Sequence, residues 1–427
     1  MSNPLTIAVK GKGFRNLLRR SLAIGGRYGL TTAKMDRALT RFTRILQEFD
    51  CSATFPLTAC TLARSGEMLH KYQYQGVEFA VHGYQHVDHS QLSLDQHLDH
   101  LGKARQMFEA HDLRCRGFRC PYLRWNQDTL TALNMLEFAY DSSQALAWDV
   151  ADGFETDTYH HVLDFYGAQL ATDYPAVPWF VNGLLRIPYC LPDDEALVER
   201  LHLTGSTPMN ELWLEVLRRT YELGELFTLG LHPERIVLCE EPLRAVLSQA
   251  RALSPDVWIA RLDEIASWWR ARTEATVEVV QETGDSLRLS IDGPPGTTVL
   301  ARSVVVEAPT EPWVDGYQRV LSSDFVFRAD RRPFIGLTPG APSALISFLR
   351  QQGYLVESGA DARPYAFYLD QRDFVPEDGR PLLKQVERGT WPLLRLGRWP
   401  DGAHSALSIT GDIDALTLWD YSSRVSG

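Results

Sequence analysis

Gly76-Val-Glu-Phe-Ala-Val-His-Gly-Tyr-Gln-His86 is the stretch on which the reading turns. The apolar run Val77 to Val81 reads as a strand, and its end delivers two imidazoles four residues apart, His82 and His86. Two neutral imidazoles at that spacing can share one divalent ion, with Zn²⁺ the commonest match. Similar strand ends recur downstream. Arg119-Cys-Pro-Tyr122 closes the next run, Asp141-Ser-Ser143 another, and Leu229-Gly-Leu-His-Pro233 a third.

Working outward, residues 35–49 read as a helix, with Ala38, Leu39, Phe42, Ile45, Leu46 and Phe49 on one face. Strand-like runs recur near 51–58, 77–82, 116–120, 137–141, 184–188, 226–231 and 256–261, mostly separated by helical or loop-rich stretches. This alternation predicts a parallel sheet curled as an α/β barrel, a distorted (β/α) barrel of seven or eight strands. In such barrels chemistry gathers at the carboxyl ends of the strands, where each of these motifs lies. Residues 151–183, rich in Tyr, Phe and Asp, read as an insertion over that end.

The ordered series resembles the NodB-homology polysaccharide deacetylases, a family of carbohydrate esterases. His82-Gly-Tyr-Gln-His86 is similar to the family's H-S/T-x-x-H motif, Arg119-Cys-Pro-Tyr122 to its R-x-P-Y, and Leu229 to His232 to its L-x-x-H. Cys51-Ser-Ala-Thr-Phe-Pro-Leu57 looks like its second strand and Val257-Trp-Ile-Ala-Arg-Leu-Asp-Glu264 like its closing strand. The likeness covers residues 28 to 272. The family's first motif, a strand ending in Asp-Asp or Asp-x-Asp, is absent from the amino terminus. There Leu5-Thr-Ile-Ala-Val9 runs into Lys10-Gly-Lys12. At the other end, Ala406-Leu-Ser-Ile-Thr-Gly-Asp-Ile-Asp-Ala415 supplies it, which suggests a circularly permuted barrel.

The resemblance implies a site. His82, His86 and Asp414 would hold Zn²⁺ or another divalent metal ion, leaving a position open for water and a carbonyl. Asp412 would be the base, Arg119 its partner, Tyr122 the source of a backbone N–H for the oxyanion, and His232 the general acid. Asp141 could orient a neighbouring His or Arg or could cap a helix, and Asp193-Asp194 reads as an N-cap pair. Trp148 and Trp179 are candidate sugar platforms. The implied reaction removes an N-acyl group, acetyl or formyl, from a small-molecule sugar carried on a nucleotide or a lipid in surface polysaccharide or glycolipid biosynthesis. Two other readings stay open: an amidohydrolase acting on a non-sugar amide or ureide, and a non-catalytic carbohydrate-binding relative.

The organisation expected is a main barrel at 1–272, a small antiparallel β module at 273–328, and a segment at 329–427 that returns to the barrel with the Asp412-x-Asp414 strand. Within that last segment, Ala341 to Gln351 reads as a helix, Tyr354 to Val356 as a strand, and Trp391 to Pro400 as the lead into the final strand. The chain has 427 residues, 44% hydrophobic and 23% charged. No apolar run is long enough to span a bilayer and no signal peptide is visible, so a cytoplasmic protein is expected. The six cysteines form no C-x-x-C pair, which fits reduced thiols. Residues 1–44 carry ten basic side chains and one acid, a charge of +9, against −11 for the whole chain. The acidic remainder excludes a nucleic-acid partner. Phe14, Leu17, Leu18 and Leu22 alternate with Arg15, Arg19 and Arg20, so residues 10–24 read as a helix that lies on an anionic membrane or meets a phosphate-bearing substrate, or as one capping the barrel with its Arg residues in solvent.

Overall fold

The computed structural model describes residues 27–423 apart from Asp152 and Thr204. The strand expected at Leu5–Val9 and the amphipathic segment 10–24 lie outside the described residues.

One curled, mostly parallel sheet organises the first two thirds of the chain. Nine of its twelve strands position the site: β1 (Ala53–Leu57), β2 (Glu78–Val81), β3 (Gly117–Phe118), β4 (Tyr140–Asp141), β5 (Leu184–Arg186), β6 (Tyr189–Leu191), β7 (Leu226–Leu231), β8 (Val257–Ile259) and β9 (Ser405–Gly411). Nearly every residue of these strands is buried, as expected where helices cover a parallel sheet from outside. The helix Ala33–Glu48 shows how that cover forms. Met35, Leu39, Phe42, Ile45 and Leu46 recur at helical spacing and are all buried, and the Phe42 ring stacks on Phe55 of β1 at 5.2 Å. The helix Leu94–Ala110 starts at a capping box in which Ser93 and Gln96 exchange side-chain-to-backbone hydrogen bonds.

The spatial order is β6-β7-β9-β1-β2-β3-β4-β5. The bend at Ile187-Pro188 lets one run serve both flanks: β5 pairs with β4, while β6 pairs with β7. That bend carries the sheet round into a barrel. The last strand of the chain fills the centre. Residues 226–231 of β7 pair in parallel with 406–411 of β9, and Ala53 and Thr54 of β1 pair with Ile409 and Thr410 on its other edge. β8 takes the remaining part of that edge, against residues 405–407.

The rest of the chain differs in detail from the sequence reading. Strands at 276–281, 287–292, 324–328 and 305–307 form one antiparallel sheet. A second contains 310–312, 318–320 and 299–302, and its fourth strand is Leu393–Leu396, from the segment read only as a lead into the final strand. Arg332–Leu337, Val356–Ser358 and Tyr365–Leu369 form a separate parallel sheet around the helix Ser343–Gln351. Tyr354 precedes the strand there and makes an isolated bridge to Arg395.

Candidate metal and acid–base site

The carboxyl ends of β2, β3, β7 and β9 converge. His82 follows β2 directly and is buried. Its Nδ1 lies 2.9 Å from the Arg119 carbonyl oxygen. A carbonyl can only accept, so Nδ1 carries the proton and Nε2 presents a lone pair. That Nε2 is 3.4 Å from Asp414 Oδ1, and His86 Nε2 is 3.3 Å from the same oxygen. The three donor atoms lie within 4.8 Å of one another. Two ligands about 2.0–2.2 Å from a tetrahedral ion stand roughly 3.3–3.5 Å apart. The donor set and its spacing therefore fit one such ion, with two protein nitrogens, one carboxylate oxygen and an open side.

Arg119 is the buried hub beside it. Its guanidinium donates to Asp412 Oδ1 at 2.7 Å, to the Thr410 hydroxyl at 3.0 Å, and to the Ser142 carbonyl and hydroxyl at 3.1 and 3.0 Å. It also lies over the Tyr189 ring, 4.6 Å from the centroid. Tyr189 can approach because residue 230 of β7 is glycine; a Cβ there would come within 1.9 Å of the Tyr189 hydroxyl. That hydroxyl donates to Asp193 at 2.8 Å. Burial, then the neighbouring Asp194 charge, pushes the Asp193 carboxyl up to about 6.

His232 ends β7. Strand pairing sets it beside Asp412, whose N–H donates to the Leu231 carbonyl at 2.9 Å. Burial alone would lower the affinity of His232 for a proton. The Asp194 carboxylate outweighs it, by its charge and by a hydrogen bond of 2.6 Å to Nδ1, and the ring is held well above the ordinary histidine range. Asp194 also accepts the His232 backbone N–H at 2.8 Å. Asp194 is thus a partner of His232, while Asp193 does accept a helix-end N–H, from Ala196 at 2.7 Å. No local signal distinguishes the two, because His232 lies 38 residues away.

Tyr122 turns the chain with a φ of 59°, a left-handed conformation uncommon outside glycine. Its ring meets the edge of His86 at 4.4 Å. Asp141 serves neither a histidine nor a helix end: it accepts Arg186 Nε at 2.9 Å and the Ser143 hydroxyl. Trp148 is 4% exposed and belongs to the core, whereas Trp179 is half-buried, with the Arg186 guanidinium 5.6 Å from its ring centroid.

Residues 32–140, which include His82, His86, Arg119 and Tyr122, match the family model described as polysaccharide deacetylase. A peptidoglycan deacetylase-like protein of Gibberella zeae is 36% identical over 91 residues, 21% of this chain and 24% of that protein. The chain thus spans about a quarter of the length of this curated relative. Among solved structures, a Mycobacterium smegmatis protein put forward as a polysaccharide deacetylase shares 23% identity, with a TM-score of 0.43 over 58% of this chain and 81% of that one. A Pseudomonas aeruginosa PAO1 protein put forward likewise shares 19%, with a TM-score of 0.44 over 55% and 73%. The match over residues 32–140 thus agrees with the motif series in its likeness to the polysaccharide deacetylase family over that part of the chain.

Proposed function

We propose that the protein is a metal-dependent hydrolase that removes an N-acyl group, acetyl or formyl, from a sugar. The observation that carries this reading is the convergence of His82, His86 and Asp414 beside the Arg119–Asp412 pair. Zn²⁺ or another divalent ion held by the three ligands would acidify a water and polarise the acyl carbonyl. The protein's own groups do the rest. Arg119 pairs with Asp412 and orients it, and Asp412 takes the proton of the attacking water. The turn at Tyr122 offers its backbone N–H to the oxyanion. His232, kept protonated by Asp194, gives its Nε2 proton to the departing nitrogen. The C–N bond breaks, and the products are a carboxylate and an amino sugar.

On this reading β9 is the family's first strand, moved to the end of the chain by circular permutation. Its place between β7 and β1 supports that assignment. Elemental analysis of the purified protein should find about one equivalent of divalent metal. A panel of free, nucleotide-linked and lipid-linked N-acetyl and N-formyl sugars should release acetate or formate from at least one. Metal-free protein, or hydrolysis confined to a non-sugar ureide, would overturn the proposal.

A further inference from the structure

One buried tyrosine touches both halves of the candidate acid–base machinery. Tyr189 opens β6 directly after the bend at Ile187-Pro188 and is 1% exposed. Its backbone N–H donates to the Gln144 carbonyl at 2.8 Å, which anchors the start of the strand. Its ring lies under the Arg119 guanidinium, and its hydroxyl donates to Asp193 Oδ2. Burial, then the charges of Asp193 and Asp412, hold that hydroxyl well above the ordinary phenol range. It therefore stays protonated and serves the carboxylate as a donor. Asp193, the neighbour of Asp194, and Asp412, the proposed base, are both near enough to act on this one phenol.

Each contact fixes something the other bonds leave soft. The Arg119 donors are spread around the edge of its guanidinium: Nε to the Ser142 carbonyl, Nη1 to Thr410 and Asp412, Nη2 to the Ser142 hydroxyl. Only one of these bonds reaches Asp412. An aromatic face packed on the plane resists the tilt that would lengthen it. On the other side, Asp193 has both oxygens taken, Oδ2 by the Tyr189 hydroxyl and Oδ1 by the Ala196 N–H. The next residue, Asp194, turns one oxygen to the His232 backbone N–H and the other to His232 Nδ1. Holding Asp193 thus steadies the backbone from which Asp194 reaches His232. Gly230, two residues before His232, leaves the room that the phenol occupies.

We propose that Tyr189 is a positioning residue for both proton transfers: its ring sets Arg119 against Asp412, and its hydroxyl sets, through Asp193, the carboxylate that holds His232. The inference rests on the proposed hydrolysis, in which Asp412 is the base and His232 the acid. Steady-state kinetics of the full chain on an N-acyl sugar, with metal content measured alongside, test it. Tyr189→Leu should lower kcat about 100-fold and Tyr189→Phe about 10-fold, with KM and bound metal as in the wild type. Added to Asp412→Asn, Tyr189→Leu should cost only the share of the hydroxyl, about 10-fold, because the ring has no base left to set. In an Asp193→Ala background Tyr189→Phe should cost nothing more. Tyr189→Phe keeps the ring and its packing, so this second cycle decides the matter even if Tyr189→Leu does not fold. Wild-type kcat in Tyr189→Phe, full additivity in either cycle, or loss of metal in Tyr189→Phe would overturn the inference and leave the hydrolysis standing. A wild type that releases no acyl group from any sugar would overturn the hydrolysis, and the inference with it.

Discussion

The two ends of the barrel strands each hold buried carboxylates, and they are built in opposite ways. At the carboxyl end Asp412 meets a guanidinium and Asp414 meets two imidazole nitrogens. At the amino end Glu78 is held only by neutral donors. Thr54 Oγ1 donates to it at 2.6 Å, the Tyr140 hydroxyl at 2.7 Å and the Asp263 N–H at 3.0 Å. Burial, then the charge of Asp263, pushes the Glu78 carboxyl up to about 8. β2 carries both centres, Glu78 at its start and His82 just past its end. A buried carboxylate is thus not by itself a site. What separates the two ends is whether cationic and lone-pair groups converge on the carboxylates and leave one side open.

The largest effect expected from this contrast is on metal. His82→Ala and Asp414→Ala should each lose most bound metal, read by elemental analysis, while Glu78→Gln keeps it. Equal metal content in all three would erase the distinction between the ends.

Next in size is the base. Under the proposed N-deacylation, Asp412→Asn should retain metal and lose on the order of 10²–10⁴ in kcat. Wild-type kcat in that variant would remove Asp412 from the proposed role.

Much of the site end was legible because each of its groups sits at the end of a strand that announces itself. The apolar run before His82, the run before Arg119 and the run before Asp412 fix where those side chains emerge. Hydrogen bonds between distant segments carry no such mark. Asp194 and His232 share one only because the bend at Ile187-Pro188 brings β6 against β7. The Leu393–Leu396 strand was missed for a related reason. Its partner, Val299–Arg302, lies far upstream, and Arg395 breaks the apolar run. Trp148 shows the limit of composition: an aromatic side chain suited to stacking on sugar reads the same in a core as in a groove.

The third effect is on stability. Arg119 is buried and is the cation for Asp412. Arg119→Leu leaves that carboxylate buried without a counter-charge, at a cost of about 3–5 kcal/mol. Urea titration should show it, and Asp412→Asn in the same background should recover part of the loss. A fall of less than about 1 kcal/mol would place Asp412 in contact with water and weaken the contrast with Glu78.

The smallest effect belongs to the amino end and has a distinctive pH dependence. The Glu78 carboxyl titrates near 8 in the folded chain, against 4.5 as the ordinary value expected once unfolded. Between those values the folded state holds a proton that the unfolded state has released. The contribution of Glu78 to stability is therefore whole below about pH 4.5 and is lost as pH rises through about 8. Glu78→Gln keeps acceptor and shape for Thr54 and Asp263 but has nothing to ionise. Its melting temperature should fall less steeply than that of the wild type between pH 5 and 8, and the two curves should separate most at the alkaline end. Parallel curves across that range would mean that Glu78 is ionised throughout. The amino end would then hold a charged carboxylate as the site end does, and the contrast between them would rest on the converging cations alone.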